Sequence, residues 1–168
     1  MAVLKWLPSA NSGMVPAPNA DGTVTLLGTG VAPGGLNALA ASTGAALSVG
    51  VNIDTELDLF ADFELFVTFV ATPVADGLVK MYIVRSISEV VPGTPDYEDG
   101  STAAIVPRNG YVGAFIIRGV STAQRMILPE VSIPFKKFKV LLINECSTAF
   151  TAVNTHTLKA RFGKYQSI

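Results

Sequence analysis

The stretch DFELFVTFV, from Asp62 to Val70, decides the fold class of this 168-residue chain. Its apolar residues occupy alternate positions and its polar residues mostly fill the gaps: Phe63, Leu65, Val67 and Phe69 in one set, Asp62, Glu64 and Thr68 in the other. Successive side chains of a β-strand point to opposite faces of the sheet, so this period of two predicts a half-buried strand.

The same signal recurs along the chain on either side of this stretch. Val79, Met81 and Ile83 alternate with Lys80 and Tyr82, and residues 111–117, 124–128 and 157–162 also have strand character. Residues 139–144 are apolar on both faces, which is typical of a central strand. About eight such segments, separated by turns rich in Pro, Gly and Asp, predict an all-β fold. We expect an antiparallel β-sandwich, jelly-roll-like, over residues 46–168.

The first 45 residues differ from the rest in composition. Between Lys5 and Asp54 the only charged residue is Asp21. Disordered tails stay soluble through charge and low hydrophobicity, whereas this stretch keeps apolar residues among many Pro and Gly: Trp6, Leu7, Met14, Val15, Leu26, Leu27, Val31, Leu36 and Leu39. Pro and Gly disfavour long regular elements, and a short helix over residues 36–46 is bracketed by glycines. We therefore predict an extended N-terminal docking arm, residues 1–45, whose apolar side chains bind a partner.

The overall composition narrows the class of partner. The chain is 49% hydrophobic and only 15% charged, against about 25% charged in ordinary soluble domains, and a charge-poor surface favours association. A net charge of -1 gives no general attraction to nucleic acid or anionic membranes. We find no secretory signal and no apolar run near the ~20 residues of a membrane helix. The expectation is a soluble protein made in a cytoplasm, with no membrane partner and no direct nucleic-acid contact.

Candidate catalytic and metal-binding residues are few. The single cysteine, Cys146, and the single histidine, His156, allow a Cys/His dyad, but no third orienting group is evident. We interpret Cys146 as a buried small apolar residue and His156 as a turn residue. Two carboxylate clusters, residues 54–58 and 96–100, lack the EF-hand spacing and are interpreted as exposed edges or turns. Residues 28–35 match no phosphate-binding motif. We predict no enzyme activity, no cofactor and no metal.

Two groups of residues are candidates for an interface. Lys136, Lys137 and Lys139 are interleaved with Phe135 and Phe138. Such a pattern either binds single-stranded nucleic acid or forms a solvated or subunit-facing sheet edge, and we favour the edge. The aromatic residues Tyr82, Tyr97, Tyr111 and Tyr165, with Trp6, are candidates for an exposed platform on which sugar rings stack, and ordinary packing or interface use is the default interpretation.

Four segments of the C-terminal half carry a resemblance to a known class of protein: residues 128–129 (LP), 138–144 (FKVLLIN), 149–150 (AF) and 157–162 (TLKARF). Their order of strands and turns resembles small virion proteins of tailed bacteriophages, in particular capsid decoration (cement) proteins. The resemblance implies a non-enzymatic β-sandwich that binds the major capsid protein on the outside of the head, as a homotrimer or a dimer, and stabilises the lattice. It implies no particular site residues. A phage tail or adsorption protein with a carbohydrate-binding sandwich is the alternative.

Overall fold

The computed structural model describes residues 4–8, 19–31, 35–42, 44–48, 50–53, 60–91, 94–97, 110–133, 137–153 and 155–167. This part of the chain is all-β: β1 (Leu4–Pro8), β2 (Val24–Val31), β3 (Gly35–Asn37), β4 (Gly44–Leu47), β5 (Val51–Asn52), β6 (Phe60–Val67), β7 (Gly77–Val91), β8 (Thr94–Tyr97), β9 (Tyr111–Ile117), β10 (Gln124–Ser132), β11 (Lys137–Asn144) and β12 (Thr157–Ser167). The described residues contain no helix that is long and apolar enough to cross a membrane.

The strands form two six-stranded sheets that pack together as a β-sandwich. Sheet A has the order β10-β6-β12-β2-β3, with β1 also paired to β12. Sheet B has the order β4-β11-β7-β8, with β5 paired to β11 and β9 to β7. All the pairings are antiparallel except the one between β2 and β3, which is parallel. The predicted all-β, largely antiparallel sandwich is confirmed at this level.

From β2 onward, strands that come early in the sequence pair with strands that come late, in nested order. Strand β2 pairs with β12, β4 with β11, β6 with β10 and β7 with β9. As a result, six connections lead from one sheet to the other, and they include residues 38–43, 68–76, 118–123 and 145–156.

The core lies between the two sheets and contains the apolar sets that the alternation predicted. Strand β6 alternates between partly exposed and buried residues along its whole length, with Phe63, Leu65 and Val67 fully buried. Phe69 meets Phe150 edge to face with ring centroids 5.2 Å apart. Burying each large apolar side chain contributes about 1.5–3 kcal/mol. The predicted central strand, residues 139–144, belongs to β11, which has paired strands on both sides.

The second half of the predicted arm is part of this core. Leu26, Leu27, Leu36 and Leu39 are all buried in the main apolar cluster. The prediction that these four leucines bind a partner is wrong, because all four are buried in the core of the chain itself. Leu26 and Leu27 lie in β2, which pairs with β12, and Leu36 and Leu39 lie in β3 and the turn after it. The segment is poor in charge because it is an inner strand and turn. The short helix considered over residues 36–46 is also wrong, since the described residues there form β3, a turn and β4.

The first half of the predicted arm is described at β1 and again from residue 19. Trp6 and Leu7 pair with Tyr165 and Lys164 of β12 through the backbone. Val31 ends β2, and nothing is described of its side chain or of those in β1. Met14 and Val15 lie outside the described residues, so for this region the arm remains a prediction.

Candidate functional site

The two residues considered for a catalytic dyad are both buried in the described fold. His156, interpreted as a turn residue, is fully buried directly before β12, and its described hydrogen bonds go to Thr68 and Thr151. Cys146 is buried as predicted, with its Sγ 3.5 Å from the carbonyl oxygen of Leu78. Burial, and secondarily the charge of Glu145, raises the pKa of the Cys146 thiol to about 11. A thiol with that pKa is a poor nucleophile at neutral pH.

The acidic clusters give no metal centre among the described residues. In that part of the chain no group of three or more His, Cys, Asp or Glu side chains is placed to hold a metal ion. Asp96 lies in β8, while residues 54–58 and 98–100 fall outside the description. The calcium alternative for those two clusters therefore stays untested.

The best-defined candidate for binding is an apolar end of the sandwich, formed where four of the crossing loops meet. It presents exposed valines from three separate loops, Val70, Val74, Val120 and Val153. Val153 is 89% exposed, Val74 67% and Val70 66%. We call this surface the valine end, and define it as the described residues of 38–42, 68–76, 118–123 and 145–156.

Hydrogen bonds join the loops of the valine end into one surface. The Val70 N–H donates to the Ala149 carbonyl at 3.0 Å, and the Val74 N–H donates to the Ser147 hydroxyl at 3.1 Å. A Cβ added to Gly119 would lie 3.4 Å from the Cβ of Ala75, so the β9–β10 loop packs directly on the β6–β7 loop.

Strained backbone at this end is held in place by bonds between loops. Among the described non-glycine residues with positive φ, Ala38 (55°), Ser42 (63°) and Asp76 (64°) all belong to the valine end. Their N–H groups donate to carbonyl oxygens of other segments at 3.0 Å: Ala38 to Thr151, Ser42 to Cys146 and Asp76 to Ile117. Such conformations cost about 1–3 kcal/mol each and persist where the surroundings fix them. The loops are therefore rigid, although they are exposed.

Buried polar side chains beneath the loops add to this rigidity. The Asn144 amide donates to the carbonyl oxygens of Ala40 and Thr148 at 3.0 and 3.1 Å, and its Oδ1 accepts from the Cys146 N–H at 3.0 Å. The His156 Nδ1 accepts from the Thr68 N–H at 3.3 Å, which places the proton of the neutral ring on Nε2, 2.9 Å from the Thr151 carbonyl oxygen. Burial lowers the pKa of His156, so the ring is neutral at pH 7.

The predicted interface residues lie elsewhere, on the outer face of sheet B. Leu141 is opposite Tyr82 in the register of β11 and β7, and Lys139 precedes Leu141 by two, so all three point outward. The Tyr82 and Tyr111 rings meet edge to face at 5.5 Å, and the Lys139 Nζ lies 4.4 Å from the ring centroid of Tyr97. We call Tyr82, Tyr97, Tyr111, Lys137 and Lys139 the tyrosine–lysine face. Lys136 lies outside the described residues.

This face is partly occupied by its own packing. Val84 and Leu141 point outward but are fully buried, because Tyr82 and Tyr97 pack against them. Tyr97, one of the aromatic residues considered for the sugar-stacking platform, reaches this face through the pairing of β8 with β7. Tyr111 remains 53% exposed and is the main aromatic group that a ligand can reach there.

Sequence reasoning missed the valines of the loops. The available signal was composition: residues 147–155, STAFTAVNT, contain no charge, and neither do residues 68–75. The convergence of loops that are distant in sequence follows from the strand order, which composition does not reveal.

In comparisons with known proteins, no family model and no curated protein matches this chain. The candidate surfaces therefore rest on the geometry of the chain itself.

Proposed function

We propose that this chain is a non-enzymatic structural virion protein that binds the major capsid protein on the outer surface of a phage head and stabilises the lattice. The single observation that carries the proposal is the valine end, a rigid surface with exposed apolar side chains and little charge. In this proposal the protein acts as a homotrimer or a dimer and contacts the capsid through the valine end.

The strand order supports the proposal at the level of fold. Pairing of the first strand with the last, and so on inward to β7 and β9, is the order expected of an eight-stranded jelly roll. Jelly rolls are common in viral capsid proteins and in lectins. This support is an analogy of fold, and the same fold hosts many functions.

The physical properties of the valine end suit a protein partner. Exposed apolar patches on rigid supports mark interaction sites, and rigidity reduces the entropy lost on binding. Valine has few rotamers to lose when it is immobilised. The described charges at this end are Asp76, Arg118 and Glu145, and Glu145 is already 2.8 Å from the Lys80 ammonium. A neutral protein surface is therefore a better match than an anionic membrane or nucleic acid.

An oligomer can bind the capsid tightly even though each valine end binds weakly. Burial of one valine side chain contributes on the order of 1.5 kcal/mol, and a few such residues give weak binding after the cost of association. Two or three copies of the valine end on one oligomer raise the overall affinity through effective concentration. The docking arm proposed for residues 1–45 no longer contributes Leu26, Leu27, Leu36 or Leu39, which are buried in the core.

The test introduces a charge at the valine end without disturbing the core. We expect V153D and V70D to fold normally and to bind undecorated heads at least tenfold more weakly, since each buries an unpaired carboxylate at the interface. The matched control is I127D, on the outer face of sheet A, where the isoleucine is 62% exposed. Cosedimentation with heads measures the binding. Wild-type binding by both valine variants would contradict the proposal, as would an equal loss in I127D.

A second candidate function is carbohydrate binding by an adsorption protein, favoured by the exposed ring of Tyr111 and the partly buried Tyr82 beside it. An exposed tyrosine ring offers an apolar face and a hydroxyl to a sugar. If this function is correct, Y111A should abolish binding on a glycan array while V153D leaves it unchanged. The reverse pattern would reject it.

A further inference from the structure

A groove on the outer face of sheet A is unrelated to the valine end and to the tyrosine–lysine face. It has a volume of about 290 Å³ and runs across β2, β12, β6 and β10. The residues that line it and carry the argument are Asp62, Glu64, Arg125, Ile127, Lys159 and Arg161. The side chains project from paired strands, so their spacing is fixed by the sheet.

The acidic groups of the groove already have partners. Asp62 accepts a hydrogen bond from the Glu130 N–H at 2.8 Å, and Glu64 lies 3.4 Å from the Arg125 guanidinium. Asp21, at the rim, accepts from the N–H and hydroxyl of Thr23 and lies 3.6 Å from the Lys159 ammonium. These hydrogen bonds from Thr23, followed by the charge of Lys159, lower the pKa of Asp21. These contacts orient the three carboxylates, and each keeps free lone pairs.

Arg161 is the basic group of the groove that keeps its donors available. It lies opposite Asp62 in the register of β12 and β6. Its side chain is exposed, and within the described residues its guanidinium makes no ion pair at 4.0 Å or less. A guanidinium presents five N–H donors in a planar fork. The groove therefore contains oriented carboxylate acceptors next to the available N–H donors of Arg161.

The charge balance selects the class of ligand. Three carboxylates (Asp21, Asp62 and Glu64) face three cations (Arg125, Lys159 and Arg161), so a strongly charged ligand of either sign meets repulsion as well as attraction. A neutral ligand that both donates and accepts hydrogen bonds is not repelled by either set of charges. Ile127, 62% exposed in the groove wall, adds an apolar contact.

We propose that this groove binds a neutral saccharide of one or two rings. Neighbouring hydroxyls on a sugar ring offer a donor and an acceptor side by side, which suits Arg161 together with the free lone pairs of Asp62. The C–H face of the ring would pack on Ile127. Exposed ion pairs contribute little to the stability of a fold. The charged residues of the groove can therefore bind a ligand without loss of stability. This proposal does not depend on capsid binding.

The experiment is an NMR titration of the full chain with glucose, galactose, N-acetylglucosamine and lactose, compared with glucuronic acid and glucosamine. We expect at least one neutral sugar to bind with roughly millimolar affinity, with amide shifts in β6 and β12, and to bind at least tenfold more weakly to R161A. I116A is the matched control, because Ile116 is 62% exposed and belongs to neither candidate sugar site, and it should bind normally. R161K should be intermediate because it keeps the charge but loses the planar fork.

Each other outcome overturns the proposal. No binding of any neutral sugar at tens of millimolar would show that the groove is only a network of surface charges. Preferential binding of glucuronic acid or glucosamine would assign the groove to a charged ligand. Loss of sugar binding in Y111A with retention in R161A would place the saccharide on the tyrosine–lysine face. None of these results bears on the binding of heads by V153D.

Discussion

Replacing Leu39 with alanine tests whether the second half of the predicted arm is part of the folded domain. Leu39 lies in the turn after β3, fully buried, and its carbonyl oxygen accepts a hydrogen bond from the Phe150 N–H at 3.0 Å. The substitution removes three carbon groups, about 2.4 kcal/mol at ~0.8 kcal/mol each. The cavity left behind adds up to about as much again, so we expect a loss of about 2.5–5 kcal/mol in the free energy of unfolding.

Urea denaturation followed by tryptophan fluorescence or circular dichroism measures this loss, and thermal melting should show a fall of about 5–20 °C in Tm for a domain of this size. The control is V153A, whose side chain is 89% exposed and whose substitution should change stability by less than about 0.5 kcal/mol. If L39A were as stable as V153A, the second half of the predicted arm would not be packed in the core and the described position of β3 would be wrong.

Three further predictions concern buried polar and thiol groups. Because burial lowers the pKa of His156 below its ordinary 6.5, its contribution to stability is complete above about pH 6.5 and is lost as the pH falls through the folded-state pKa; H156Q should flatten that part of the pH–stability curve, and an unchanged curve would refute the assignment. Cys146, with its pKa raised to about 11, should resist a thiol reagent at neutral pH and react only in denaturant, so fast labelling of the native protein would contradict its burial. The Gln124 side chain bonds the Arg118 N–H, the Arg118 carbonyl and the Val120 carbonyl at 2.9, 3.0 and 2.7 Å; Q124A should cost about 1–3 kcal/mol of unfolding free energy by urea titration, and a neutral effect would show that water replaces these bonds.

Local alternation was enough to predict the strands of the sandwich. Phe63 and Leu65 in β6, and Leu158 and Ala160 in β12, face inward as the period of two requires. Such a pattern depends only on neighbouring residues, so sequence alone reveals it. It also identified β11 as central, because residues 139–144 are apolar on both faces.

The pairing of strands that are distant in sequence could not be predicted in the same way. Val24 and Leu26 alternate with Thr23 and Thr25, yet the lack of charge outweighed this short pattern and gave an arm in place of β2. Which strand offers an edge to β2 depends on the pairing with β12, more than 130 residues away. The valine end was missed for the same reason, since its loops meet only once the strand order is known.

The position of β12 between β6 and β2 has a consequence for how the protein is made. As the ribosome releases the chain, the last of the described strands to emerge is the one that must enter the middle of sheet A. Until then β2 and β6 have no common neighbour and expose their unpaired edges. Such non-local pairing makes folding slow, in the range of milliseconds to seconds, and leaves these edges open to aggregation. Nascent chains that end before residue 157 should therefore need a chaperone to stay in solution.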